Sequence, residues 1–292
     1  MRGSFLKKQV ESTRIFHTER AEKITVQTIL HLRSVKTLGL IKTTGVVTKT
    51  VKYGETSLIV TIVTRDMGRI SAIANNVRTN KSGMMAGLQL FAYSEFVMYK
   101  SKSKTGLYRL NELTVLESFS DIRESLEKLA YASYFSEVVN RTTAEDDADG
   151  EVLPLLLNVL YVLDRDLQGS EKIKTVFEWR LSAVAGYAPQ LGACSSCRAE
   201  NAEFLLLISG CSVCEKCAEG REDAVRISPL MCKIINFICG ADGKKIFSFD
   251  APEDSIKYLS RISELYIEAQ FEQKFPTLDY LKKVTALEDN AT

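Results

Sequence analysis

The sequence predicts an α+β chain: a small antiparallel β-barrel first, then a helical body with a cysteine-built module set into it. Three observations predict this. Between residues 42 and 117 the apolar residues follow the two-residue period of strands, cut by turn signals. After Ser118 the period becomes helical. Five of the seven cysteines crowd between Cys194 and Cys217. The length of 292 residues suits one large domain or two smaller ones, and 45% hydrophobic with 26% charged residues can bury a core.

Residues 1–40 show weak periodicity and scattered cations, and they hold His17 and His31, the only two histidines. They read as a basic, poorly ordered N-terminal extension. Thr43–Tyr53 and Thr56–Thr64 are rich in β-branched residues, Arg65–Gly68 is a turn, and Arg69–Ala74 is a third strand. Asn75–Gly87 is a polar loop with room for one short helix. Leu88–Lys100 alternates as a fourth strand, Lys100–Lys104 is a basic turn, and Gly106–Glu117 is a fifth strand. Five short strands in so few residues suggest a small barrel. Asp121-Ile-Arg-Glu124 then reads as a capping box ahead of a stripe of Ile122, Leu126, Leu129 and Ser133. Glu145–Glu151 is an acidic loop. Further helices are expected from near Pro154 to Leu167, over Lys172–Ala185, Pro229–Cys239 and Asp254–Phe271, and over Thr277–Val284.

The net charge of +1 conceals an asymmetry. Residues 1–40 carry eight Lys and Arg against three Asp and Glu, residues 41–118 eleven against five, and residues 119–292 nineteen against twenty-nine. A basic front on an acidic body points to a polyanionic partner. No stretch approaches 18 apolar residues, so no membrane span is expected; nor is a secretory signal, and a cytoplasmic protein is expected.

Cys194-Ser-Ser-Cys197 and Cys211-Ser-Val-Cys214-Glu-Lys-Cys217 carry the strongest chemical signal. A Cys-x2-Cys turn presents two thiolates to one metal, and two such turns close a tetrahedral site that suits Zn2+. The second pair is Cys211/Cys214 or Cys214/Cys217. The latter is favoured because Ser209-Gly210 makes a turn before it, giving the set Cys194, Cys197, Cys214 and Cys217. A site filled by four thiolates has no position for a reacting water, so its role is structural. Cys232 and Cys239 read as core residues.

Catalytic machinery is missing from the pattern. There is no phosphate-binding Gly-x4-Gly-Lys-Ser/Thr loop and no Gly-x-Ser-x-Gly elbow, and the body has no histidine to activate a nucleophile. The chain is not expected to be an enzyme. Candidate contacts to a nucleic acid lie in the barrel: Lys49, Lys52, Arg65, Arg69, Arg78, Lys81, Lys100, Lys102, Lys104 and Arg109, with Tyr53, Tyr93, Tyr99 and Tyr108 as possible stacking partners. Cations release counterions on meeting phosphates, and aromatic rings stack bases.

Several segments, in order, resemble the RecO family of bacterial recombination mediators. They are Thr43-Thr44-Gly45-Val46-Val47 leading to Tyr53-Gly54-Glu55-Thr56-Ser57-Leu58, and Thr64-Arg-Asp-Met-Gly68-Arg-Ile-Ser-Ala72. Asn76-Val77-Arg78 with the Gly83–Gly87 region follows, then Leu191-Gly192-x-Cys194-x2-Cys197 with Gly210-x3-Cys214-x2-Cys217. The resemblance covers about residues 41–285; the first forty residues and Cys211, where a glycine is usual, depart from it. It implies an OB-fold DNA-binding domain over 41–118 and a helical domain over 119–285 with a zinc module at about 191–220, leaving 286–292 as a tail. It also implies binding of single- and double-stranded DNA, annealing of complementary strands, and engagement of the C-terminal tail of single-stranded-DNA-binding protein. With RecR, such a protein helps load RecA. The competing readings are a zinc-ribbon and OB accessory protein that binds nucleic acid without annealing, and a metal-dependent nuclease, which the few barrel acids disfavour.

Overall fold

Val, Ile and Thr crowd residues 40–74, where side chains branched at Cβ suit a pleated surface better than a helix. They form β1 (Leu40–Tyr53), β2 (Ser57–Thr64) and β3 (Gly68–Ala74) in a computed structural model that describes residues 39–78, 84–100, 106–145 and 150–289. The extension expected over 1–40 lies outside the described residues but for its last two, as do Lys81, Lys102 and Lys104. After α1 (Met84–Gly87), β4 (Tyr93–Lys100) and β5 (Tyr108–Glu117) complete a closed barrel of order β1-β2-β3-β5-β4. β4 returns antiparallel to the first half of β1, from Leu40 opposite Tyr99 to Val46 opposite Tyr93. β5 meets β3 in parallel, Ala72 beside Tyr108 and Ile73 beside Arg109. One strand serves two neighbours because β1 bends at a bulge between Val47 and Lys49. Gly45 lets β2 approach there: a Cβ would lie 2.6 Å from both Ile62 Cγ2 and the Val63 carbonyl. This is a five-stranded OB barrel.

Val47, Leu58, Val60, Ile62, Ile70, Ala72, Phe96 and Met98 fill the barrel. Val46, Val63, Phe91 and Tyr93 are equally buried but belong to the core of the helical body. The barrel therefore sits on the body through apolar contact. The fourth strand begins at Tyr93, not Leu88. Residues 88–92 are held in turns by Leu88, Gln89 and Ala92 N–H bonds to carbonyls three residues back, and Phe91 takes φ 71°. That twist sends Leu88 into the barrel and Phe91 into the body.

α2 (Ser120–Glu124), α3 (Leu126–Thr142), α4 (Val152–Asp164) and α5 (Ser170–Val184) follow. The expected capping box is absent: Phe119, with φ 47°, precedes α2 without a side-chain cap. Instead Ser125, at φ −115°, breaks the helix and caps α3 by accepting from the Lys128 N–H. The break rotates the apolar stripe, leaving Leu126 half exposed and burying Ala130, Tyr134, Phe135 and Val138. Next comes the cysteine module: β6 (Phe204–Leu206), β7 (Ser212–Val213), α6 (Glu215–Ala218) and β8 (Ala224–Arg226), in a sheet of order β7-β6-β8. α7 (Pro229–Gly240), α8 (Glu253–Phe271) and α9 (Pro276–Asp289) complete the body. α9 outruns the expected Thr277–Val284, its later part tied back by the Thr285 hydroxyl to the Leu281 carbonyl.

The body core is aromatic: Phe135 meets Phe177 at 4.6 Å between centroids, and Trp179 meets Tyr266 at 4.9 Å. It also encloses charge. Lys174 lies 3.0 Å from Glu178 and 2.9 Å from Glu264, while the Tyr134 and Ser263 hydroxyls donate to Glu178 at 2.5 Å. Burial pushes the Glu178 carboxyl up, against the pull of Lys174. Removing Lys174 would leave a buried carboxylate uncompensated. Among the described residues no helix is long and apolar enough to cross a membrane.

Candidate nucleic-acid interface and metal centre

The strand register builds the barrel's outer face residue by residue. Side chains opposite one another on paired strands share a face. Val51, Ile59, Ile73, Arg109 and Tyr99 thus form one row across β1, β2, β3, β5 and β4. Lys49 flanks this row opposite Thr61, and Tyr53 ends it opposite Ser57. Tyr53 is 55% and Val51 47% exposed. Lys49, Lys52, Lys100 and Arg109 are exposed around them, with the Lys100 ammonium 5.7 Å above the Tyr108 ring. Half-exposed apolar and aromatic side chains ringed by cations can stack bases and meet phosphates.

Other expected cations serve the fold. The Arg69 Nε donates to the Thr143 carbonyl at 3.1 Å, and its guanidinium pairs with Glu145 at 3.3 Å, bracing barrel to body. Arg78 donates to the Glu55 carbonyl at 2.7 Å, closing the β1–β2 turn against the end of β3. Arg65 is partly buried at the β2–β3 turn, its N–H bonded to the Thr44 carbonyl. Tyr93 and Tyr108 are buried, so neither ring can stack a base. A cleft of about 620 Å³ opens where β1 and β3 face α3. Its helical wall escaped the sequence reading, which sought cations only in the barrel. The available signal was a polar run at helical spacing, Ser133, Ser136, Glu137, Asn140 and Arg141.

In the module, the structure brings Cys194, Cys197, Cys214 and Cys217 together, with all four sulfurs within 4.8 Å of one another. The two arms are tight turns. The Arg198 N–H bonds to the Cys194 carbonyl at 2.8 Å, and the Cys217 N–H to that of Cys214 at 3.0 Å. Arg198 takes φ 63° to make the first turn. Cys211 lies outside the group, on the β-bridge to Gln190, with its thiol toward the Ser209 carbonyl. A Zn–S bond of about 2.3 Å implies tetrahedral sulfurs about 3.8 Å apart; Cys197 and Cys214 stand 3.6 Å apart. Backbone N–H groups of Cys197 and Cys214 hold the Cys194 thiol down to about 6. The neighbouring thiols, Cys214 first, push Cys217 up to about 12. Four sulfurs this close ionise together only around a cation, so the donor set fits a thiophilic metal. Cys232 and Cys239 pack against the body core, where burial pushes the Cys239 thiol up to about 12.

The family model described as Recombination protein O N terminal matches residues 38–119, and that described as Recombination protein O C terminal matches residues 123–279. A DNA repair protein RecO of Acetivibrio thermocellus is 36% identical over 248 residues, 84% of this chain and 97% of that protein. Proteins of the same name are each 31% identical: that of Alkaliphilus metalliredigens over 84% of this chain and 100% of its own length, and that of Caldicellulosiruptor saccharolyticus over 84% and 99%. A barrel and a helical body matched in their own order, with relatives aligned nearly end to end, leave one conclusion: the chain belongs to the RecO family of DNA repair proteins.

Proposed function

We propose that the chain is a non-catalytic recombination mediator of the cytoplasm. It binds single- and double-stranded DNA on the barrel, anneals complementary strands and, with RecR, helps load RecA onto DNA coated by single-stranded-DNA-binding protein, whose C-terminal tail the helical body accepts. The observation that carries this reading is a closed OB barrel with Lys49, Tyr53, Tyr99 and Arg109 on its outer face and Lys52 and Lys100 exposed at its rim, where β1 and β4 end. In OB folds the face of the second and third strands and the loops that follow the first and fourth take oligonucleotides; Lys52 and Tyr53 end β1 and Lys100 ends β4. Lys81, Lys102 and Lys104, which lie outside the described residues, belong to the same proposed set of DNA contacts. Domains run over 41–118 and 119–285, with the module at about 191–220 held by one structural Zn2+ on Cys194, Cys197, Cys214 and Cys217. Annealing needs no nucleotide hydrolysis; neutralising phosphates and holding two strands close suffice.

The test is annealing of complementary strands, each coated with single-stranded-DNA-binding protein, without ATP and across a salt series. Salt-sensitive annealing is the expected result. DNA binding without annealing would replace the mediator with an accessory binding protein.

A further inference from the structure

The cleft between barrel and body has a wall that the outer-face reading does not use. On α3, Ser133, Ser136, Glu137, Asn140 and Arg141 recur at helical spacing and line the cleft. β1 and β3 supply Lys49 and Arg69 opposite them. The cleft lining thus holds three cations and one carboxylate, with Arg69 already paired with Glu145 outside the lining, on a body whose sequence is otherwise acidic.

The single carboxylate is already engaged. Glu137 accepts from Arg141 at 2.8 Å, from the Thr277 N–H at 2.9 Å and from the Thr277 hydroxyl. Arg141 keeps 43% of its side chain exposed. Lys49 has no ion pair among the described residues. Asn140 is fixed by the Thr48 hydroxyl at 2.7 Å. The decisive group is Ser136. It is 2% exposed, lines the cleft, and its hydroxyl has no hydrogen-bond partner among the described residues. A buried hydroxyl without a partner is costly and rare, and here it stands beside cations.

From this we infer that the cleft is a phosphodiester site, contributed by α3 of the helical body, through which a strand lying on the barrel continues. The Ser136 hydroxyl donates to a phosphate oxygen, while Arg141 and Lys49 supply the charge. The inference rests on the DNA-binding reading above and adds a second binding region to it. A short oligonucleotide fills the barrel face alone; a longer one reaches the cleft.

The experiment is fluorescence anisotropy on the full chain with oligo-dT of about 8 nucleotides, within the span of one OB fold, and of about 30 nucleotides. The variants are R141Q, S136A and, for the barrel, R109E. R141Q should weaken the long strand about tenfold and lower its salt slope by about 0.7 while leaving the short strand unchanged. S136A should weaken the long strand about fivefold, with no loss of thermal stability, because the deleted hydroxyl bonds nothing in the fold. Should R141Q fail to fold, as circular dichroism would show, S136A decides alone. Equal effects on both lengths, or none on the long strand, would overturn the cleft site. So would competition by inorganic phosphate at both lengths alike, which would make it a free-anion site. R109E separates the two readings. If it leaves both lengths at wild-type affinity while R141Q weakens the long strand, the barrel reading falls and the cleft stands.

Discussion

The cysteine cluster shows how much one residue can decide. Cys217 and Cys211 lie equally close to Cys214 in sequence, on either side of it. The helical turn of α6 brings Cys217 back to the cluster, whereas the β-bridge to Gln190 holds Cys211 away. Cys217→Ser should therefore release the metal and lower thermal stability, whereas Cys211→Ser should retain it; metal content per chain measures both. Protonation gives a second check. At pH 7 the metal-free module keeps protons on Cys197, whose thiol is raised by its Cys194 and Cys214 neighbours, and on Cys217. Those protons must leave on binding, so apparent metal affinity rises with pH and the metal is lost on acidification. Calorimetry in buffers of different ionisation enthalpy should count at least these two protons per metal. The sequence favoured Cys217 on the Ser209-Gly210 turn, and the four sulfurs that the structure groups are those of that set.

At the level of elements, the strands and most helices were legible because their periods are strong. The run of β-branched residues over β2 and the apolar run over α4 leave little choice. The misreadings occur where tertiary packing overrides local pattern. Leu88–Ala92 alternates like a strand, but its side chains divide between two cores, which forces turns. Asp121 and Glu124 have the spacing of a cap, yet the cap that forms is Ser125, because the chain must bend between β5 and α3. The three-stranded sheet of the module escaped notice since strands of two or three residues carry no periodicity. Ser125→Ala should cost about 1 kcal/mol in chemical denaturation by removing the α3 cap. Asn140→Ala should cost about as much by leaving the Thr48 hydroxyl of β1 without its partner on α3. The cations follow the same logic: charge was readable, but only geometry distinguished Arg69 and Arg78, tied into the fold, from the exposed Lys49 and Lys52.

The whole molecule is an acidic body carrying a basic barrel on an apolar seat of Val46, Val63, Phe91 and Tyr93. Because these four residues belong to the body's core, the barrel and body should unfold together. Denaturation followed by fluorescence of Trp179, buried in the body, should coincide with far-UV circular dichroism, which also sees the barrel. Separate transitions would show that the seat is too weak to couple them. Reversing Lys52 and Arg109 to Glu should weaken DNA binding and flatten its dependence on salt, by about 0.7 in slope for each single-strand phosphate no longer neutralised. The hydrogen bond between Glu137 on α3 and Thr277 at the start of α9 spans 140 residues. During synthesis the barrel can close once β5 has left the ribosome, but the N-terminus of α9 reaches α3 only after all the intervening helices and the cysteine module have been made. A nascent chain halted before α9 would thus present a finished barrel beside an α3 whose Glu137 has not met Thr277. Such a chain could grip nucleic acid before its second wall is set.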